Sequence, residues 1–87
     1  MKKAGQYYKT EWWDGDYMIV FCIEDQKTLG AFSGTVVKAT HSDTSNRPRP
    51  RVGVTSHYWD SRSFIGLPPD TDVSDLIKNE PDLNIIL

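Results

Sequence analysis

Through much of the chain apolar residues alternate with polar or oppositely placed apolar ones, and the alternation breaks at clusters of turn formers. A period of two puts successive side chains on opposite faces of an extended backbone, so the pattern predicts strands. The first segment runs from Gln6 to Trp13 and carries four aromatics, Tyr7, Tyr8, Trp12 and Trp13. Asp14-Gly15 follows, a pair able to supply the positive φ angles of a tight hairpin turn. Tyr17 to Ile23 is the strongest strand and is apolar on both faces. Tyr17, Ile19, Phe21 and Ile23 point one way, and Met18, Val20 and Cys22 the other. Such a strand is expected to be central, or covered on its second face by another element.

After a polar turn that closes at Gly30, a third strand is predicted from Ala31 to Thr40, with Gly34 inside it marking a bulge or bend. His41 to Pro50 is polar and rich in turn formers, hence a long loop. Val52-Gly53-Val54-Thr55-Ser56 resumes a strand, and Ser63-Phe64-Ile65-Gly66 makes a short last one. Five short strands joined by turns, with glycines at bends, predict a mainly β domain, a small SH3-like curved sheet or partly open barrel. The resemblance is one of pattern only. Pro68-Pro69 ends the sheet, and Asp72 caps a short C-terminal helix through Lys78 whose Val73, Leu76 and Ile77 share a face. The last residues, Leu83-Asn84-Ile85-Ile86-Leu87, are expected to pack back onto the sheet or add to a neighbouring subunit. The chain thus divides into a barrel-like core, 1–66, and an acidic helix-and-tail part, 67–87, of one domain.

Composition narrows the function classes. An 87-residue chain has room for one core, and its 38% hydrophobic and 25% charged residues are those of a globular domain rather than a disordered one. No apolar run approaches the roughly 18–20 residues of a membrane span. Met1-Lys2-Lys3 is basic, but no secretory apolar region follows, so export is not expected and a cytoplasmic location is the default. Cys22 is the single cysteine, which excludes an internal disulfide and reads as a small core residue. The formal net charge of −2 hides a division: residues 1–66 carry nine Lys/Arg against seven Asp/Glu, while 67–87 carry one against five. The acidic part is expected to offset the basic one internally, to be solvated, or to face a partner.

The basic feature is Arg47-Pro48-Arg49-Pro50-Arg51, followed by the aromatic cluster His57-Tyr58-Trp59 and by Arg62. In an extended edge strand the three arginines would share one face, and in a polyproline helix they would radiate in three directions. Arginine pairs bidentately with phosphate or carboxylate and stacks on flat rings, so these residues are the candidate ligand site. The competing expectation is that Arg-Pro alternation keeps an exposed edge soluble. Trp12, Trp13, Tyr58 and Trp59 are either a stacking platform or ordinary packing. Neighbours on a strand face apart, so the pairs 12/13 and 58/59 should each split between core and surface.

Catalytic constellations are weak. Ser56, His57 and Asp60 have triad residue types at a spacing that turns them apart, and Asp14 and Asp16 are explained by the hairpin between them. His41 and His57 with Asp43 or Asp60 lack metal-ligand spacing. No glycine-rich phosphate loop is present. No catalytic residue, metal or cofactor is therefore assigned.

What remains is a non-enzymatic binding module. It is expected to sequester or sense a phosphorylated, nucleotide-like ligand through the Arg/aromatic site, a description that would suit the small phage proteins that sequester host nucleotide signals. The alternative is a protein-binding inhibitor or adaptor acting through the acidic part or apolar tail. A single-stranded nucleic-acid binder comes third, because a pI near 5.5 counts against an extended basic footprint. The two-faced strand and apolar end also predict a homo-oligomer.

Overall fold

The structure, a computed structural model, describes residues 1–40, 49–68, 71, 72 and 74. It is mainly β. Five strands, β1 (Tyr7–Glu11), β2 (Tyr17–Cys22), β3 (Ala31–Ala39), β4 (Thr55–Asp60) and β5 (Ile65–Gly66), form one antiparallel sheet in the order β4-β3-β2-β1-β5. A 3₁₀ turn, Ser61–Ser63, joins β4 to β5. These two strands are the opposite edges of the sheet, and in a flat sheet they would stand about 19 Å apart. A 3₁₀ turn rises only about 2 Å per residue, so the sheet must roll up for the connection to close. Two register shifts assist the bending, one between Ile19 and Val20 on the β2–β3 ladder and one between Phe32 and Gly34 on the β3–β4 ladder.

Several element boundaries differ from the sequence expectation, each for a local reason. β1 stops at Glu11 because Trp12 already starts the turn: its carbonyl accepts from Gly15 N at 3.1 Å and its N–H donates to Asp16 O at 2.8 Å. Gly15 alone takes a positive φ (92°), so the loop is a longer, bulged hairpin connection and not a two-residue turn with both central residues left-handed. β4 lies further along than Val52–Ser56. Gly53, at φ 95°, closes a turn in which Val54 N donates to Arg51 O, and pairing with β3 then carries through His57-Tyr58-Trp59. Asp60 ends β4 by capping the 3₁₀ turn, accepting from Arg62 N at 3.0 Å and Ser63 Oγ at 3.1 Å. The C-terminal helix and apolar tail placed by sequence fall, apart from Asp72 and Ser74, outside the described residues.

The concave face holds the core. Met18, Val20, Cys22, Phe32, Val36 and Phe64 are buried, with Tyr8, Trp12, Ala39, Val52 and Trp59 packed against them. Phe32 sits at the centre of an aromatic set, 5.6 Å from the Tyr8 ring and 5.1 Å from Phe64 in an edge-on contact. Full burial of an aliphatic or aromatic side chain contributes about 1.5–3 kcal/mol. The convex face of β2 is apolar as the alternation predicts. Ile19, fully buried there, lies in a row between Lys9 and Lys38, and both ammonium groups stand over the Tyr17 ring. Lysine stems thus cover apolar surface while their charges reach a π face.

Gln26 ties three segments together. Its side-chain oxygen accepts from Lys2 N and Ser61 Oγ, its amide nitrogen donates to Thr28 O, and its backbone N–H donates to Lys2 O. Lys2 Nζ in turn donates to Ser61 O at 2.8 Å. The N-terminal segment is thereby pinned beside the 3₁₀ turn. Burial pushes the Cys22 thiol pKa up, and its Sγ donates to Glu24 O. A thiol held protonated and covered is expected to resist an aromatic disulfide reagent in native buffer and to react rapidly in denaturant; comparable rates in the two conditions would contradict this placement.

Candidate functional site

The long β3–β4 connection returns to the β1–β2 hairpin through Arg49, and the hairpin determines what that arginine does. Asp14 Oδ1 accepts from Asp16 N at 3.1 Å, fixing the turn, and Thr40 Oγ1 donates to Asp16 Oδ1 at 3.1 Å. The two carboxylates so oriented receive Arg49: Nη2 lies 2.9 Å from Asp14 Oδ2 and Nη1 3.2 Å from Asp16 Oδ2. The guanidinium carbon stands 4.4 Å from the centre of the Trp12 ring. Only 11% of the Arg49 side chain is exposed. Its charge is therefore directed at two carboxylates and an indole of its own chain. The hydrogen bond from Arg49, followed by that from Asp16 N, holds the Asp14 carboxyl below the usual carboxylate range.

That shift has a sign. A folded pKa below the unfolded value of about 3.9 means the unfolded chain binds more protons, so the contribution of Asp14 is fully present above about pH 5 and lost as the pH falls through the folded value. Thermal melts of the wild type and Asp14→Asn should differ by a constant gap between pH 7 and 5 that closes below about pH 4. A gap that widens on acidification would refute the ion pair.

The other expected site residues are dispersed. Arg47 and Pro48 lie outside the described residues. Arg49 and Arg51 belong to no strand, so the one-face comb of an edge strand is not formed by them; Arg51 is exposed. Arg62, exposed within the 3₁₀ turn, lies 3.6 Å from Asp60. On β4 the register shift opposite Phe32–Gly34 places one extra residue, and His57 and Tyr58 are both exposed, Tyr58 at 85%. Trp59 turns inward instead, donating Nε1–H to Gly34 O at 2.8 Å and meeting Phe64 edge-on at 6.0 Å. Trp12 and Trp13 likewise separate, Trp12 half-buried and Trp13 89% exposed, although a turn rather than a strand divides them. His57, Tyr58 and Trp59 are thus contiguous in sequence without forming one platform.

His57 makes a contact that its sequence neighbours do not announce. Ser33 Oγ is 2.9 Å from His57 Nδ1 and donates to Glu24 Oε1 at 3.1 Å. One hydroxyl carries one proton; with Ser33 donating it to Glu24 Oε1, Nδ1 is the donor to Ser33. The proton order, His57 to Ser33 to Glu24, is opposite to that of a histidine activating a serine. Ser56 Oγ, adjacent in sequence, accepts from Tyr58 N instead. Among the described residues no group of three His, Cys, Asp or Glu is placed to hold a metal ion; His41 and Asp43 lie outside them.

A groove that the sequence reading missed borders Trp59 and Asp60. One part, about 500 Å³, is lined by Trp12, Met18, Pro50, Trp59 and Phe64, and its two charged lining residues, Glu11 and Asp60, are both carboxylates. A second hollow, about 540 Å³, shares Glu11 and Ser63 with the first and is lined further by Lys9, its ladder partner Ile65, and Gly66, Leu67 and Pro68. Bonds from Arg62 N and then Ser63 hold the Asp60 carboxyl below its usual range, so this rim charge persists well below neutral pH. Of the described candidate ligand-site residues Trp59 alone lines the groove, together with Trp12 from the aromatic set. Pro50, Trp12 and the residues around the 3₁₀ turn join it through topology. No protein-family model, curated protein or solved structure matches the chain. No helix among the described residues is long and apolar enough to cross a membrane.

Proposed function

We propose that the chain is a non-enzymatic binding module on an SH3-like barrel, and that it recognises an extended segment of a protein partner. The observation that carries this reading is that two hollows meet at Glu11 and Ser63, one with aromatic walls beside Pro50 and the other running by the exposed Ile65 to Pro68, and we read them together as one groove. Each part lies within the usual size range of ligand sites, and together they suit a run of side chains better than one compact ligand. A binding module of this kind would work in the cytoplasm, without a cofactor.

The test is selection from a displayed library of random peptides, with counter-selection against Ile65→Glu. Ile65 is 75% exposed, so that change alters the groove and not the core. Enriched sequences that bind the wild type at least tenfold more tightly than Ile65→Glu, with melting points unchanged, are expected; a library yielding no such sequence would sink the reading.

A second reading keeps the anionic small ligand, and one observation favours it: His57 and Tyr58 are both exposed on β4. It calls for a thermal shift with one member of a panel of nucleotides and cyclic dinucleotides, abolished by His57→Ala or Arg51→Ala. The homo-oligomer is part of the proposal too, supported by exposed Ile23 and Ile65. Sedimentation as a monomer at tens of micromolar would end it.

A further inference from the structure

We propose that the tip of the β1–β2 hairpin is a receptor for a guanidinium group, filled in cis by Arg49, and that an arginine of a partner segment exchanges with Arg49 there. The exchange rests on the peptide-binding reading above; the receptor itself does not.

The frame of the site does not depend on Arg49. Trp12 N donates to Asp16 O, Gly15 N to Trp12 O, Asp16 N to Asp14 Oδ1, Thr40 Oγ1 to Asp16 Oδ1, and Tyr17 N to Thr40 Oγ1. None of these bonds involves the arginine, so the two carboxylates are held in place by the hairpin and the end of β3. Into this frame the guanidinium fits in three ways at once. It forks onto both oxygens of Asp14, at 2.9 and 3.5 Å, reaches Asp16 Oδ2 at 3.2 Å, and lies against the Trp12 indole. A planar fork meets a carboxylate bidentately while stacking on a ring; a lysine ammonium has no such plane and is more strongly hydrated. The ligand class is therefore a guanidinium and not cations in general.

Position gives the site its use. Trp12 and Pro50, the residue after Arg49, both line the aromatic end of the groove. An arginine entering along the groove reaches the indole at its near edge, and a departing Arg49 takes the Pro50 wall with it. The chain's own Arg-Pro sequence thus acts as a tethered competitor. Tethering raises the effective concentration of Arg49 to the millimolar range typical of short linkers, which sets the level an incoming arginine must overcome.

Removing the competitor tests this. Arg49→Ala is titrated with methylguanidinium and with methylammonium, following tryptophan fluorescence and melting temperature, and then with the capped tripeptides Gly-Arg-Gly and Gly-Gln-Gly. Saturable binding of methylguanidinium and of Gly-Arg-Gly is expected, at least tenfold tighter than methylammonium and Gly-Gln-Gly respectively. Binding should be at least tenfold weaker in the wild type and in Arg49→Ala combined with Asp16→Asn. A response that does not saturate, that methylammonium matches, or that survives Asp16→Asn would overturn the proposal. Should Arg49→Ala not fold, Arg49→Gln receives the same titrations. Saturation by methylguanidinium alongside a failed peptide selection would sink the groove reading and leave the receptor standing, whereas selected peptides with no guanidinium binding would do the reverse.

Discussion

Gly34→Ala is expected to remove a large share of the protein's stability. A Cβ at this position would overlap Val20 Cγ1 and stand 2.9 Å from the Phe21 carbonyl oxygen. The valine methyl belongs to the packed core, and the carbonyl belongs to a strand whose next residue, Cys22, is the register partner of Gly34. The carbonyl cannot retreat without opening the β2–β3 ladder, and the valine methyl cannot move without repacking the core. Gly34 also offers its carbonyl to Trp59 Nε1, so a shifted backbone would loosen the opposite ladder as well. Overpacking with this little freedom costs about 3 kcal/mol or more. A domain of this length has only about 4–13 kcal/mol in total, and at about 4–8 °C per kcal/mol the melting point should fall by about 12 °C or more. Thermal melts followed by circular dichroism measure it; a variant melting within 3 °C or so of the wild type would contradict the close approach of the two strands.

Trp59→Ala should come next in size, and comparison with Trp59→Phe separates two contributions. Alanine removes the contact with Phe64, the wall of the groove and the bond to Gly34 at once. Truncating a large aromatic in such a setting costs about 3–5 kcal/mol. Phenylalanine keeps most of the apolar area but leaves the Gly34 carbonyl without its indole donor, for a loss of about 1–3 kcal/mol. Urea melts should therefore rank wild type, Trp59→Phe and Trp59→Ala in that order. Equal stability of the two variants would mean that the indole N–H contributes nothing. The phenylalanine variant, folded at low temperature, is also the one in which groove binding can be compared with the wild type.

Much of the architecture is legible in the alternation of side chains, because a period of two is a local property. The apolar double face of Tyr17–Ile23, the central place of β2 and the irregularity at Gly34 all follow from it. The glycine marks the bend, although the extra residue that makes it lies on β4, where His57 and Tyr58 are both exposed. The end of β1 and the start of β4 depart from the apolar pattern because turn chemistry at Trp12-Trp13-Asp14-Gly15 and at Arg51-Val52-Gly53-Val54 overrides it. The site was far less legible. Arg49 was singled out for its charge, but its partners lie 33 and 35 residues away, and the Asp14-Gly15-Asp16 motif that a turn explains locally also creates its docking place. Lys2, Gln26 and Ser61 carried no signal at all, since each is unremarkable until the N-terminus meets the 3₁₀ turn.

The pairing of β1 with β5 also sets an order of events during synthesis. Tyr8 lies opposite Gly66, so the first strand made waits for almost the last described one before its outer edge is covered. At roughly 5–20 residues per second the nascent chain spends seconds with that edge open. A ribosome stalled before Ile65 would release a chain whose aromatic first strand has unpaired backbone groups along one side, the surface on which strands of other molecules add. Among the described residues, that side of β1 gains its partner only when Ile65 and Gly66 are delivered.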